Sequence, residues 1–190
     1  MPYIRECIVT TVDRQRKAHI APLGIIAEKD GWVIAPFRPS TTLDNLAQVP
    51  FAIANYTDDV RIFAGCLTGR KDWPLLPVEG CAVPRLADAL AHSVLSVESV
   101  DGDALRPRHF CRVVAEATHA PFTGLNRAKA AVLELAILVS RLGMLPAEKV
   151  EAEIAYLSIA IEKTAGPAER EAWGWLMQRV ADHKPGAGQR

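Results

Sequence analysis

Apolar and β-branched runs separated by short polar segments fill the first third of the chain. Cys7–Val12 and His19–Ile26 flank the charged segment Asp13–Lys17, a pattern that predicts a β-hairpin. Trp32–Ala35 forms a third apolar run, and Phe51–Tyr56 alternates as a half-buried strand does. This part of the chain is therefore predicted to be a sheet of short strands.

The middle of the chain is less regular. Phe63–Pro84 is rich in turn-forming residues and is predicted to be a surface loop or a cover over a site, with Arg70, Lys71 and Trp73 as candidate contacts. Leu90–Ala117 contains two further apolar runs that complete a predicted barrel of about six strands. The start of that segment, ADALAHSVL, also fits a helix, and periodicity does not decide between the two.

A helical pattern replaces the strand pattern near residue 126. Asn126 is a suitable N-cap for a helix over Arg127–Leu142, and Pro146 begins a second amphipathic run. Gly166 and Pro167 separate this run from a third. The fold class predicted is mainly β with an α extension, that is, α+β.

The size of the chain suits this division. With 190 residues, 49% of them hydrophobic, it can bury a sizeable core. We expect a barrel over residues 1–122, a three-helix region over 123–183 and a disordered tail over 184–190.

The charge balance excludes some partners. Lysines and arginines number 22, as do aspartates and glutamates, so there is no basic surplus to indicate a nucleic-acid partner. We see neither a leader-like N-terminus nor a run long enough to span a membrane, so the sequence predicts a cytoplasmic protein that does not bind membranes.

Cysteine and histidine spacing does not point to a metal site or a hydrolase triad. The cysteines form no C-x-x-C pair and are expected to be buried free thiols, although Cys66, beside Gly65 in the predicted loop, could instead be reactive. The histidines lack ligand spacing: His19, His92, His109, His119 and His183.

One short segment combines a cation with hydroxyls. Arg38, Ser40, Thr41 and Thr42 follow the Trp32–Ala35 run and open a predicted helix over residues 42–48. Such residues at a helix start suit a phosphate monoester, whereas the simpler interpretation is that Ser40 or Thr41 only caps the helix. The segment alone favours the simpler interpretation.

Several short motifs, in their order and spacing, resemble those of a known family. They are Glu6, Thr10 and Thr11; His19, Pro22 and Gly24; Ser40, Thr42 and Asn45; Asn55, Asp58 and Asp59; and Asn126 with Arg127. The chain resembles the FMN-binding split-barrel proteins, and within them the group called domain of unknown function 447. Related flavin reductases have a KDT-type turn where this chain has Ser40–Thr42, so Arg38 would replace their lysine.

The resemblance implies a split β-barrel with a C-terminal helical bundle that binds FMN noncovalently. It also implies a homodimer with flavin sites at the subunit interface. The phosphate would be held by Arg38, Ser40, Thr41 and Thr42, with Asn45 steadying the turn.

The flavin ring would lie near strand residues of small size and one histidine. These residues are His19, Ala21, Pro22 and Gly24, and weaker candidates for the same neighbourhood are Asn55 and Asp58. The resemblance also implies that the Asn126-Arg127 pair contacts the cofactor, the substrate or a partner subunit. An arginine at a helix start opposes the helix dipole, which agrees with such a role, whereas the simpler interpretation is that the pair only caps and charges the helix start.

Two functions from different classes follow. The first is a flavin-dependent oxidoreductase that passes hydride or electrons from a reduced nicotinamide to a small substrate, for which the resemblance suggests a pterin. No catalytic residue is predicted, because the flavin supplies the chemistry. The alternative is a noncatalytic FMN-binding module that carries or senses flavin. We call Arg38, Ser40, Thr41, Thr42 and Asn45 the phosphate seat. In a third interpretation the barrel is the same, but the phosphate seat binds another ligand, such as pyridoxal phosphate or a pterin.

Overall fold

A computed structural model describes residues 2–183 and divides them into two compact units. The first, the barrel unit, comprises residues 2–57 and 73–122, and the second, the helical unit, comprises 58–72 and 123–183. The predicted disordered tail over 184–190 lies outside the described residues. Within these residues, no helix has both the length and the apolar composition of a membrane span.

Six strands close into an antiparallel barrel, as the sequence predicted. The strands of the unit are β1 (Ile4–Val12), β2 (Ala18–Glu28), β3 (Gly31–Ile34), β4 (Phe51–Tyr56), β5 (Leu75–Val78), β6 (Cys81–Leu86), β7 (Ala91–Gly102) and β8 (Pro107–Thr118). The barrel order is β1-β2-β3-β8-β7-β4, and β5 and β6 form a separate two-stranded sheet. The predicted fold class is confirmed.

Alternation along the strands produces two apolar clusters. Cys7 and Val9 of β1 pack with Ile25 of β2 in the main barrel core. Val12 of β1 instead joins a second cluster with Val83 of β6. Because successive side chains of a strand point to opposite faces, the small β5-β6 sheet can cover residues that the barrel interior does not enclose.

The described residues form five α-helices. They are α1 (Thr41–Leu46), α2 (Val60–Leu67), α3 (Arg127–Val139), α4 (Ala147–Thr164) and α5 (Pro167–Ala181), with a short 3-10 helix at Leu142–Met144. Leu46 of α1 packs into the main barrel core. The C-cap of α3 is Ser140, so this helix ends three residues before the predicted Leu142.

The helical unit has a core of its own. Leu135 of α3 and Leu176 of α5 have no exposed surface, and Val60 of α2 and Ile161 of α4 belong to the same cluster. This arrangement follows from the apolar stripe on each helix, which is stable in water only when another helix covers it.

The prediction of a loose loop over Phe63–Pro84 is wrong. The segment contains most of α2, all of β5 and the first four residues of β6. Asp59 caps α2 by accepting a hydrogen bond from the Arg61 amide at 3.0 Å, a signal that the sequence offered and that was missed. The ADALAHSVL segment leads into strand β7 and contains no helix.

The segment 58–72 clusters with the C-terminal helices, although strands of the barrel unit precede and follow it in the sequence. The division of the chain into domains over 1–122 and 123–183 therefore stays a proposal.

Candidate functional site

The predicted phosphate seat lies on the loop that joins β3 to α1. Ser40 is the N-cap of α1, and its Oγ accepts a hydrogen bond from the Leu43 amide at 3.4 Å. Arg38 and Thr41 are exposed on either side of it, and Arg38 Nη1 lies 3.6 Å from Asp44 Oδ1. A cation and two hydroxyls are thus accessible, or partly so, on one short segment.

The other two residues assigned to this seat are buried. Thr42 is 2% exposed and Asn45 is 4% exposed. Asn45 Nδ2 donates a hydrogen bond to Thr11 Oγ1 at 3.0 Å, which fastens α1 to β1. The accessible part of the predicted seat is therefore Arg38, Ser40 and Thr41, and direct contacts of Thr42 or Asn45 with a phosphate stay predictions.

The four candidates on β2 do not share one face. Leu23 and Ile25 pack toward the barrel core, so alternation places His19 and Ala21 on that same face. Pro22 and Gly24 lie on the opposite face. A flat ring lying against β2 would therefore meet the side chains of only one of these pairs.

Gly24 has a structural reason for lacking a side chain. A Cβ at this position would lie 2.8 Å from Ile4 Cγ2 and 2.9 Å from Glu6 Oε1 on β1. Close approach of the neighbouring strand therefore accounts for this glycine, whereas the sequence suggested close approach of a ligand.

Asn55 links three strands from a fully buried position. Its Nδ2 donates to the Ile8 carbonyl and to Thr10 Oγ1, both at 2.9 Å, and its Oδ1 accepts from the Leu86 amide at 2.7 Å. These bonds satisfy the amide within the protein and give Asn55 a structural role.

Asp58 and Arg127 belong to the helical unit. Asp58 is half-buried and accepts a hydrogen bond from Lys129 Nζ, while Arg127 is exposed at the first position of α3. The predicted N-cap is confirmed, since Asn126 Oδ1 accepts from the Ala128 amide at 2.8 Å. The roles of Asp58 and Arg127 toward a ligand stay predictions.

His109 is a residue that sequence reasoning did not select. It is the partner of Ile34 across β3 and β8, it is 6% exposed, and its Nδ1 has no hydrogen-bond partner within residues 2–183. Burial lowers the pKa of His109, a backbone hydrogen bond at Pro107 opposes this, and the positive charge of Arg38 lowers the pKa further. A neutral histidine therefore lies within the electrostatic reach of Arg38.

A cluster of polar and aromatic side chains lies near the start of β1 and β7 and the end of β4 and β8. Arg5 stacks over the rings of Trp32 and Tyr56, with its Cζ 4.8 and 5.0 Å from their centroids. Tyr56 Oη lies 2.8 Å from Ser93 Oγ, which donates to Glu116 Oε1 at 2.6 Å. This connected network was not predicted, because its members come from five different strands.

Two histidines stack near the same strand ends. Nδ1 of His92 and Nε2 of His119 are 2.8 Å apart, and the rings are nearly parallel at 7°. Burial lowers the pKa of His92, and repulsion by His119 and Arg85 lowers it further. At neutral pH such a pair can share one hydrogen bond, one ring donating and the other accepting.

Burial disfavours the reactive thiolate form at three of the four cysteines. The prediction that Cys66 lies in a loop is wrong: it is a buried residue of α2, and burial raises the pKa of its thiol to about 11. Burial likewise raises the pKa values of Cys7 and Cys111 to about 12. Cys81 is partly exposed, so the expectation of buried thiols is confirmed for three of the four.

Family models match both parts of the chain. A model described as "Protein of unknown function (DUF447) N-terminal domain" matches residues 5–120, and one described as "Protein of unknown function (DUF447)" matches residues 126–178. None of the curated proteins matches the chain significantly.

Among solved structures, FMN-bound protein MM1853 from Methanosarcina mazei, of family model DUF447, is similar over nearly the whole chain. Its TM-score is 0.80 at 19% identity, with 94% of this chain and 96% of that chain covered. The 2-nitrobenzoate 2-nitroreductase of Pseudomonas fluorescens has a TM-score of 0.52 at 22% identity, covering 63% of this chain and 66% of that one. The NADH:FAD oxidoreductase of Streptomyces globisporus has a TM-score of 0.52 at 11% identity, covering 62% and 78%. At these identities, the likeness establishes the fold.

Proposed function

The chain belongs to the DUF447 family of proteins of unknown function, and from this premise we propose that it is a flavoprotein that binds FMN noncovalently. The observation that carries the proposal is the grouping of Arg38, Ser40 and Thr41 where the loop after β3 meets the first residue of α1. Hydroxyls and a guanidinium suit a phosphate monoester because they supply several donors, one of them charged. The similar fold of an FMN-bound relative supports the same assignment.

In this proposal the phosphate lies at Arg38, Ser40 and Thr41, with the buried Thr42 and Asn45 holding the loop in place. The ring lies along β2, near His19 and Ala21 or near Pro22 and Gly24. Asn55 contributes indirectly, because its hydrogen bonds hold the strands together. Asp58 and Arg127 remain candidates for contacts to the ligand or to a second subunit.

The test of FMN binding is the absorbance of the purified protein between 300 and 550 nm, followed by mass identification of whatever heating releases. We expect flavin bands and released FMN. A colourless protein that takes up no added FMN would overturn the proposal and leave a barrel for another phosphorylated ligand.

We further propose that the bound flavin serves an oxidoreductase, taking hydride from NADH or NADPH and passing electrons to a small molecule, for which a pterin is one candidate. The flavin would supply the redox chemistry, and the protein would supply placement and electrostatics. The named activities of two proteins with similar barrels support this class. Steady-state oxidation of NADH or NADPH would test it. Tight FMN binding without turnover would instead favour the carrier or sensor function.

We also propose that the protein is a homodimer and that it is located in the cytoplasm. Large apolar side chains are exposed on the barrel unit, among them Phe37 at 59%, Leu105 at 61% and Tyr3 at 61%, and such surfaces often mark an interface. Light scattering on the purified protein should give twice the mass of one chain, and a monomer with full flavin content would contradict the dimer. Cell fractionation tests the location.

A further inference from the structure

Two loops of the barrel unit are tied together beside Arg38. The turn between β7 and β8 contributes the Leu105 carbonyl, which accepts from the Arg38 amide at 2.9 Å. The next residue, Arg106, donates from Nε to the Ala35 carbonyl, also at 2.9 Å. Each loop thus holds the other, and the two arginines belong to one joined surface.

Two contacts hold the guanidinium of Arg106 in place, and a third holds its backbone. Its Cζ lies 4.8 Å from the centroid of the Phe37 ring, Nε is bonded to Ala35, and the Arg106 amide donates to Asp103 Oδ1 at 2.7 Å. Ring stacking and one Nε bond fix the plane of the guanidinium while leaving its two terminal nitrogens for another acceptor.

Arg106 differs from the other arginines of the β7-β8 hairpin in its ion pairing. Arg108 pairs with Glu28 and Asp101, and Arg112 pairs with Glu98. Within residues 2–183, no carboxylate forms an ion pair with the guanidinium of Arg106.

Two neighbouring groups also lack a close partner. In the part of the chain that the structure describes, the carboxylate paired with the Arg38 guanidinium is that of Asp44, at 3.6 Å, and both side chains are about half exposed. His109, buried on β8, has an Nδ1 with no partner among the described residues. An anion bound beside the two arginines would balance charges that the protein leaves uncompensated.

We infer that Arg106 is the second cation of the phosphate seat and, with Arg38, gives the site its preference for a phosphorylated ligand over the same ligand without phosphate. This inference rests on the proposed binding of FMN. A phosphate monoester carries close to two negative charges near neutral pH, so two fixed guanidinium groups match it better than one.

The experiment compares the Kd of FMN with the Kd of riboflavin, measured by fluorescence titration of flavin-free protein. The unmodified protein should bind FMN more tightly. Arg106→Gln should weaken FMN binding about tenfold, as expected for a lost bond between charged groups, and leave the riboflavin Kd unchanged. Arg106→Lys keeps the charge without the planar fork and should lose less.

The matched control is Arg112→Gln, which removes the same charge from the same β7-β8 hairpin, at a residue of β8 that is paired with Glu98. It should leave both Kd values unchanged. If Arg106→Gln weakens FMN and riboflavin equally, or behaves as Arg112→Gln does, Arg106 only supports the loop and the inference is wrong. If the unmodified protein binds neither flavin, the proposed function itself fails and this inference falls with it.

Discussion

The barrel unit and the helical unit bury different kinds of residues. Buried polar side chains are concentrated in the barrel unit: Thr10, Thr11, Thr42, Asn45, Asn55, His92, Ser93 and His109. In the helical unit the described buried polar residue is Glu169, and the core is built from alanine, valine, leucine and isoleucine. The barrel therefore depends on specific hydrogen bonds between strands, whereas the helices depend on packing.

This difference has a physical origin. Each α-helix satisfies its own backbone groups, so its buried face needs only apolar side chains of matching shape. A small closed barrel joins strands that are distant in sequence, and side-chain amides such as those of Asn45 and Asn55 link elements that the backbone ladder does not.

The largest effect is expected from a cavity in the helical unit. Leu135→Ala should lower the free energy of unfolding by roughly 2–5 kcal/mol, because Leu135 has no exposed surface and the apolar core cannot replace its contacts. Urea denaturation followed by circular dichroism measures this loss. Leu125→Ala is the control, since Leu125 is 98% exposed and its truncation should change little. Equal effects of the two variants would contradict the packing account.

In the barrel unit, Asn55→Ala should cost about 2–3 kcal/mol of unfolding free energy, because it leaves the Leu86 amide and Thr10 Oγ1 without a buried partner. Thermal and urea denaturation would measure the change. Asn55→Asp keeps the acceptor for Leu86 but loses the donor to the Ile8 carbonyl, so it should also destabilise. If both variants were as stable as the unmodified protein, buried side-chain hydrogen bonds would not be what stabilises the barrel unit.

Loss of a helix cap should have a smaller effect. Asn126→Ala should cost about 1 kcal/mol, because Asn126 Oδ1 accepts from two amides at the start of α3. Asn126→Asp, which retains that acceptor, should keep most of the stability. If Asn126→Ala instead lowered flavin content without changing the denaturation midpoint, Asn126 would act on the ligand and not on the helix.

The pH dependence tests the buried His109. Its pKa is lowered in the folded state by burial, so the unfolded chain takes up its proton first as the pH falls. At pH 8, His109 is neutral in both the folded and the unfolded state, so it should not lower the free energy of unfolding there. The free energy of unfolding should decline as the pH falls below the ordinary histidine pKa of about 6.5. His109→Gln should flatten this decline in urea denaturation series at several pH values. An unchanged slope would show that other groups cause it.

Local sequence patterns predicted the regular elements well. The hairpin of β1 and β2, strand β4 and the Asn126 cap were all read from alternation and capping residues. Helix α2 was missed because its eight residues include Gly65 and lie next to a stretch rich in glycine and proline. The signal was present in Asp59, followed by Val60, Ile62 and Phe63.

The candidate site was predictable only in part. Arg38, Ser40 and Thr41 could be selected because they are adjacent in sequence. Arg106 could not, since it lies more than sixty residues away and reaches Ala35 only once the β7-β8 turn meets the β3-α1 loop.

By itself, the sequence determined the α+β class, the strands of the barrel, the three C-terminal helices and the family, because hydrophobic period, capping residues and motif spacing are local properties of the chain. Only the tertiary structure decided which polar residues are buried in strand-linking bonds and which remain accessible beside Arg38. From the sequence alone, both Asn55 and Ser40 are candidates for binding a ligand, because both are polar. Their difference arises from the strands and loops that pack around them, and those neighbours come from distant parts of the chain.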